Sequence, residues 1–267
     1  MTLARTALRS AARWFMAALT FAASSTEFEP NADDVLLRMF ETRRNLVYTT
    51  IQSIRSLEPG ATPMLMKTDA DGKGRTRRTV LQPLSRQGIL TLDDGRTWAT
   101  VYPDSKEVLV QPSPSNAFPE PRPRMALIER NYRLSVQRGE VTAGRSTYVV
   151  RAVPIRGEMP VRLLTVDRET SLLLRYEVQE GSAIQVWIET KAVQFPKRAS
   201  GSFSFETLPG WKQTSCDGPG TIGTNSELGF SPVFSPSLPY GFVVQGAHLL
   251  ESNPRPLVAV RITDGLV

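Results

Sequence analysis

Few side chains in this sequence are suited to chemistry. The chain of 267 residues holds one histidine, His248, and one cysteine, Cys216. A Cys/His zinc site, a haem-attachment motif and a disulfide each need more, so a single chain can form none of them. Ser-His-Asp and Cys-His catalysis are excluded as well, unless His248 serves alone. Cys216 lies in a Gly/Pro-rich stretch, where it reads as a spare thiol or one that pairs between chains. No convergent acid, base and nucleophile set is visible. The sequence therefore does not read as an enzyme, and it calls for no cofactor and no metal.

Three other features could carry chemistry. Asp33-Asp34 and Asp93-Asp94 could be paired carboxylates or metal ligands, but a helix N-terminus and a hairpin turn account for them. The run from Asp71 to Arg78, DGKGRTRR, could meet phosphate or anionic headgroups. The favoured reading is a solvated loop leading into an edge strand, where cations discourage aggregation. The Gly-x-Gly within it lacks the strand–turn–helix setting of a phosphate loop. Leu36, Met39, Phe40, Trp98, Tyr102, Leu134, Leu163, Leu174 and Tyr176 stand on apolar faces. They are either ordinary core or the lining of an apolar ligand cavity.

Lys and Arg number 32 against 26 acids, a formal charge of +6. Arg5, Arg9 and Arg13 lie in the first 24 residues, which hold no acid, leaving +3 for the rest. That is too dilute for a nucleic-acid surface. The same arginines precede the apolar run WFMAALTFAA at 14–23 and the small residues Ala22, Ala23, Ser24 and Ser25. This is the order of a secretory signal peptide, expected to occupy residues 1–24. No Cys follows for a lipoprotein anchor, so a soluble exported protein is expected.

The elements that would position these residues are mostly strands. Asn31 caps and Asp33 and Asp34 complement a helix over 32–44. Residues 46–57 are rich in β-branched types, 58–74 read as a loop because Pro59-Gly60, Pro63 and Asp71-Gly-Lys-Gly74 break any regular element, and 75–81 and 87–92 are strand candidates. Asp94-Gly95 turns the chain into a strand with Trp98, Thr100 and Tyr102 on one face. Five prolines in 111–123 predict an extended loop, followed by a short helix at 124–130. Alternating segments then run to 191. Residues 201–240 hold 18 Gly, Ser and Pro and read as a linker. Two short strands end the chain. One helix with an apolar face beside about nine antiparallel strands predicts an open or incomplete barrel with the helix over its concave side.

Several segments together resemble the RseB/MucB family of periplasmic sigma-E regulators. The helix and NLVYTTIQSI are similar to that family's opening, and DDGRTWATVYPDSKEVLV to its central hairpins and to those of the LolA and LolB lipoprotein carriers. Tyr132, Arg133, Leu134, Ala143, Gly144, Arg145 and Pro154 match one family segment, and Asp167, Glu169, Thr170 and Leu172 the next. LPYGFVV and VRITDGL are similar to the start of its C-terminal domain, although the strand that follows there is missing here. The resemblance implies a half-open, LolA-like antiparallel barrel over 25–200 with one or two helices over the concave face. It implies a linker at 201–237 and a partial C-terminal β unit at 238–267. The expected function is periplasmic and non-enzymatic: capture of lipid or lipoprotein acyl chains, with a membrane-bound anti-sigma factor as partner in envelope-stress signalling. The other reading is an adaptor whose self-filled core leaves only the surface to bind protein.

Overall fold

The computed structural model describes residues 30–55, 62–113, 120–156, 159–206, 209–215, 238–250 and 257–266. The expected signal peptide and Cys216 lie outside them.

Helix α1 runs from Ala32 to Asn45. Asn31 accepts the Asp33 N–H at its start, and Leu46 closes the end through its own N–H to Thr42. Its buried face is Val35, Leu36, Met39 and Phe40, the three-and-four spacing that puts apolar residues on one side. Strands β1 (Val47–Ile54), β2 (Met64–Asp71), β3 (Thr76–Gln82), β4 (Leu90–Asp93), β5 (Thr97–Tyr102) and β6 (Glu107–Pro112) follow as a meander. Helix α2 spans Pro121–Asn131. Strands β7 (Tyr132–Thr142), β8 (Arg145–Pro154), β9 (Val161–Asp167), β10 (Leu173–Glu180) and β11 (Ala183–Gln194) form a second meander. Strand β11 pairs with β1 and joins the two. With β12 (Lys212–Ser215) the sheet has twelve strands in the order β12-β6-β5-β4-β3-β2-β1-β11-β10-β9-β8-β7. It does not close on itself, so the molecule is a half-open barrel, mostly β. Strands β13 (Val243–Leu250) and β14 (Leu257–Thr263) pair separately.

Three sequence expectations change. Residues 64–71 are a strand, not loop. Asp and Ala are weak strand formers, but β2 is paired on both sides, with β1 and β3, and that pairing overrides propensity. Helix α2 starts three residues early, because Pro121 and Pro123 occupy first-turn positions where no N–H is needed. The stretch read as linker contributes to the sheet: β12 pairs in parallel with β6, and Phe203 is buried.

Candidate functional site

One face of the sheet can be followed from strand to strand, because directly paired residues share a face. Val150 pairs with Leu164, Leu164 with Tyr176, Tyr176 with Ile188, Ile188 with Ile54, and Ile54 with Met64. In the next row Thr50 pairs with Thr68, Thr68 with Arg78, Arg78 with Thr91, Thr91 with Thr100, and Thr100 with Leu109. Both rows lie on the surface that the helices cover.

The β7–β10 half of this surface is closed. Leu36, Met39 and Phe40 of α1 and Met125 and Ile128 of α2 pack with Val150, Leu164, Val166, Tyr176 and Val178 in one core cluster. Leu174 is fully buried in a neighbouring cluster with Tyr48, Ala70 and Leu172. The Asp264-Gly265-Leu266 segment seals this half. Leu266 enters the core cluster. Asp264, 1% exposed, accepts the Tyr132 hydroxyl at 2.6 Å and faces Arg162 at 3.6 Å. Arg162 also donates to the Tyr176 hydroxyl at 2.8 Å. Arg124 stacks on Phe40 at 4.0 Å and donates to the carbonyls of Gly265 and Leu266. Burial, then the bond to Asp264, raises the Tyr132 phenol well above its usual range. Burial is also the chief cause that pushes Tyr176 up to about 12. Burial by itself would lower Arg162, but Tyr176, Tyr132 and Asp264 hold it above its usual value.

The β1–β6 half of the same surface has a different chemistry. Thr50 and Thr68 are buried, and neither hydroxyl has a hydrogen-bond partner among the described residues. Beside Thr68, the half-buried Arg78 lies over the Trp98 ring at 4.8 Å. Among the described residues Arg78 forms no hydrogen bond or ion pair. Burial, then the nearby Arg43 charge, pushes the Arg78 guanidinium down to about 10, while Tyr48 and Asp93 act the other way. It stays charged at neutral pH. Met64 and Met66 are half-buried and belong to none of the core clusters found among the described residues. The opposite face of this half is occupied. Ala99, Val101 and Val108 pack there with Phe205 and Trp211.

The structure thus sorts the residues singled out in the sequence. Leu36, Met39, Phe40, Leu134, Leu174 and Tyr176 come together in or against the closed half. Trp98 shares their face at its other end, and Tyr102, 37% exposed, sits beyond it at the rim. Leu163 is a correction. It pairs with Arg151 and Glu177 on the opposite face, because the strand parity that puts Leu164 and Val166 in the core turns Leu163 outward. The acidic pairs are structural: Asp33 is in the first turn of α1, and Asp93 and Asp94 accept N–H groups of the Gly95–Thr97 turn. Most of the basic run is structural too. Asp71 accepts the Lys73 and Arg75 N–H groups and pairs with Arg75 at 2.6 Å. Sequence reading missed Thr50, Met64, Met66, Thr68 and Arg78 as one surface. Reading 64–71 as loop gave the middle three no face to share, although their even spacing carried the signal.

Comparison with known proteins agrees with this architecture. A family model described as the MucB/RseB N-terminal domain matches residues 31–190. No curated protein matches the chain. Among solved structures, a Pseudomonas aeruginosa MucA/MucB complex aligns with a TM-score of 0.59 at 18% identity, covering 88% of this chain and 77% of that one. MucB alone aligns at 0.58 and 16%, covering 88% and 76%. MucB in complex with MucA(peri) gives 0.57 and 16% with the same coverage. At these identities the likeness is one of fold.

Proposed function

The chain belongs to the MucB/RseB family, and on that premise we propose that it is an exported, non-enzymatic binding protein of envelope-stress signalling. It takes an apolar or acylated ligand, lipid or lipoprotein, on the helix-facing surface of its half-barrel. It engages a membrane-bound anti-sigma factor as its protein partner, as the MucB solved with MucA suggests by likeness. The observation that carries the ligand reading is the division of one continuous surface. Its β7–β10 half is filled by α1 and α2. Among the described residues, its β1–β6 half carries methionines outside the core clusters and two buried hydroxyls without partners. A self-filled adaptor core would satisfy or replace such hydroxyls, since each costs about 1–3 kcal/mol when left unpaired. An acyl chain laid there gains about 0.8 kcal/mol per buried CH₂.

Binding of a fluorescent fatty-acid analogue beside a thermal melt tests this. Met66→Asn is expected to weaken binding about tenfold, through lost apolar burial, with little change in melting temperature. Leu174→Asn removes core and buries an amide, costing about 2–4 kcal/mol of stability before it affects the ligand. Absence of binding by the unaltered protein would leave the adaptor reading, with the closed core as its support.

A further inference from the structure

Arg78 is the feature that neither the fold nor the closed core uses. A half-buried guanidinium forgoes hydration, and a folded protein normally returns hydrogen bonds or an ion pair in exchange. Among the described residues Arg78 receives only the face of Trp98, at 4.8 Å. Asp93 is near enough to raise its pKa, but that carboxylate accepts the Gly95 N–H and forms no ion pair with Arg78. Arg43, on the last turn of α1, adds a second positive charge close by. Along the pairing row the two orphan hydroxyls follow at once: Arg78 is directly opposite Thr68, and Thr68 directly opposite Thr50. Neighbouring strands are about 4.8 Å apart, so one ligand group can reach the Arg78 donors and the Thr68 hydroxyl together.

We propose that Arg78, held flat by Trp98 and flanked by the Thr68 and Thr50 hydroxyls, is the headgroup subsite of this surface and takes the oxyanion of a single-chain amphiphile. This rests on the acyl-binding reading and adds to it the charge of the ligand. The placement suits both ends of such a molecule. Met66 and Val80 pair directly with one another two residues from Thr68 and Arg78 on the same face. The tail therefore has an apolar path leading away from the headgroup. The guanidinium supplies planar paired donors that match phosphate or carboxylate. The threonine hydroxyls rotate to donate to the remaining oxygens.

The test compares dodecyl phosphate, dodecanoate, dodecanol and inorganic phosphate on the full chain by calorimetry. The two anionic amphiphiles are expected to bind about tenfold or more tighter than dodecanol, the gain of a charge-assisted contact. Inorganic phosphate should bind far more weakly than dodecyl phosphate. Whether phosphate or carboxylate is preferred identifies the headgroup. Arg78→Gln should abolish the anionic preference, so that the anions bind no tighter than dodecanol. Arg78→Lys should keep part of it. Thr68→Val should reduce the preference while raising the melting temperature, because it removes an unsatisfied buried hydroxyl. Equal affinity for dodecanol and the anions overturns the subsite and leaves the acyl reading intact. Arg78-dependent binding of inorganic phosphate as tight as that of dodecyl phosphate overturns it in favour of a free-anion site. Arg78-dependent capture of a polyglutamate peptide without any amphiphile preference overturns it in favour of an acidic protein segment. Failure of every amphiphile to bind overturns the acyl reading together with the subsite.

Discussion

Asp167 is 1% exposed yet ionised, because of its partners. Arg145 meets it at 2.7 Å and also reaches Glu169 at 2.6 Å, and the Glu169 N–H donates to it at 2.9 Å. Burial alone would raise its carboxyl pKa, but the Arg145, Glu169 and Thr170 hydrogen bonds pull it below the ordinary value. A folded value below the unfolded one means stability that is present above about pH 4. That stability is lost as the pH falls through the lowered folded value. Arg145→Met is expected to cost about 3 kcal/mol at pH 7, since it strands a buried charge. In a melt series the gap between variant and parent should narrow below about pH 4, as Asp167 protonates in both. A gap independent of pH would assign the loss to packing on Phe195, which Arg145 also covers at 5.3 Å. Arg145, Asp167 and Glu169 are among the residues that carry the family resemblance, and here they are one structural knot.

At the scale of elements, the two helices and the Asp264–Leu266 segment act as one cover. The Asp264-Gly265-Leu266 segment is clamped between α2 and the sheet. Asn131 donates to the carbonyls of Gly241 and Asp264, tying both ends of the β13–β14 unit to the end of α2. Gly265 adopts φ +100°, and a Cβ there would stand 2.8 Å from Ile128 Cγ1. Gly265→Ala is therefore expected to loosen the clamp by about 2 kcal/mol, through left-handed strain and crowding. Tyr132→Phe, which removes the hydroxyl that donates to the Asp264 carboxylate at 2.6 Å, should cost about 1.5–3 kcal/mol. Hydrogen exchange should then show α2 and β14 losing protection together, while β1–β5 keep theirs. Uniform loss across the sheet would mean that the clamp is part of the global core, not a separately opening unit.

For the whole molecule, the sheet needs cover on both faces. The helices supply it on one side of the β7–β10 half. On the other side of the β4–β6 half, Phe205 and Trp211 pack on Ala99, Val101 and Val108, and Phe203 lies under Arg75 at 5.7 Å. A chain of residues 30–215 is therefore expected to melt well above one of residues 30–200, which exposes that apolar face. The shorter chain should also bind a hydrophobic dye. Equal melting temperatures would show that the 201–215 segment contributes no stability.

Much of this was legible from local signals. Helix α1 follows from its cap and apolar spacing, and β5, β7, β8 and β10 from period-two alternation. The Ala143-Gly144 turn, with φ +50° and +74°, has a glycine where a tight hairpin needs one. These depend on neighbours within a few residues, which sequence order records. The absence of a catalytic histidine or cysteine pair followed from composition alone. Three matters were left to tertiary structure. Strand β2 exists because β1 and β3 flank it. Leu163 points outward because register, not hydrophobicity, chooses between it and Leu164. Thr50, Thr68 and Arg78 form one row only through cross-strand pairing, which joins residues 18 and 10 positions apart. Local pattern sets which residues want to be buried. The sheet's register decides what each of them is buried against, and on that depends whether a threonine or an arginine is surface, core or site.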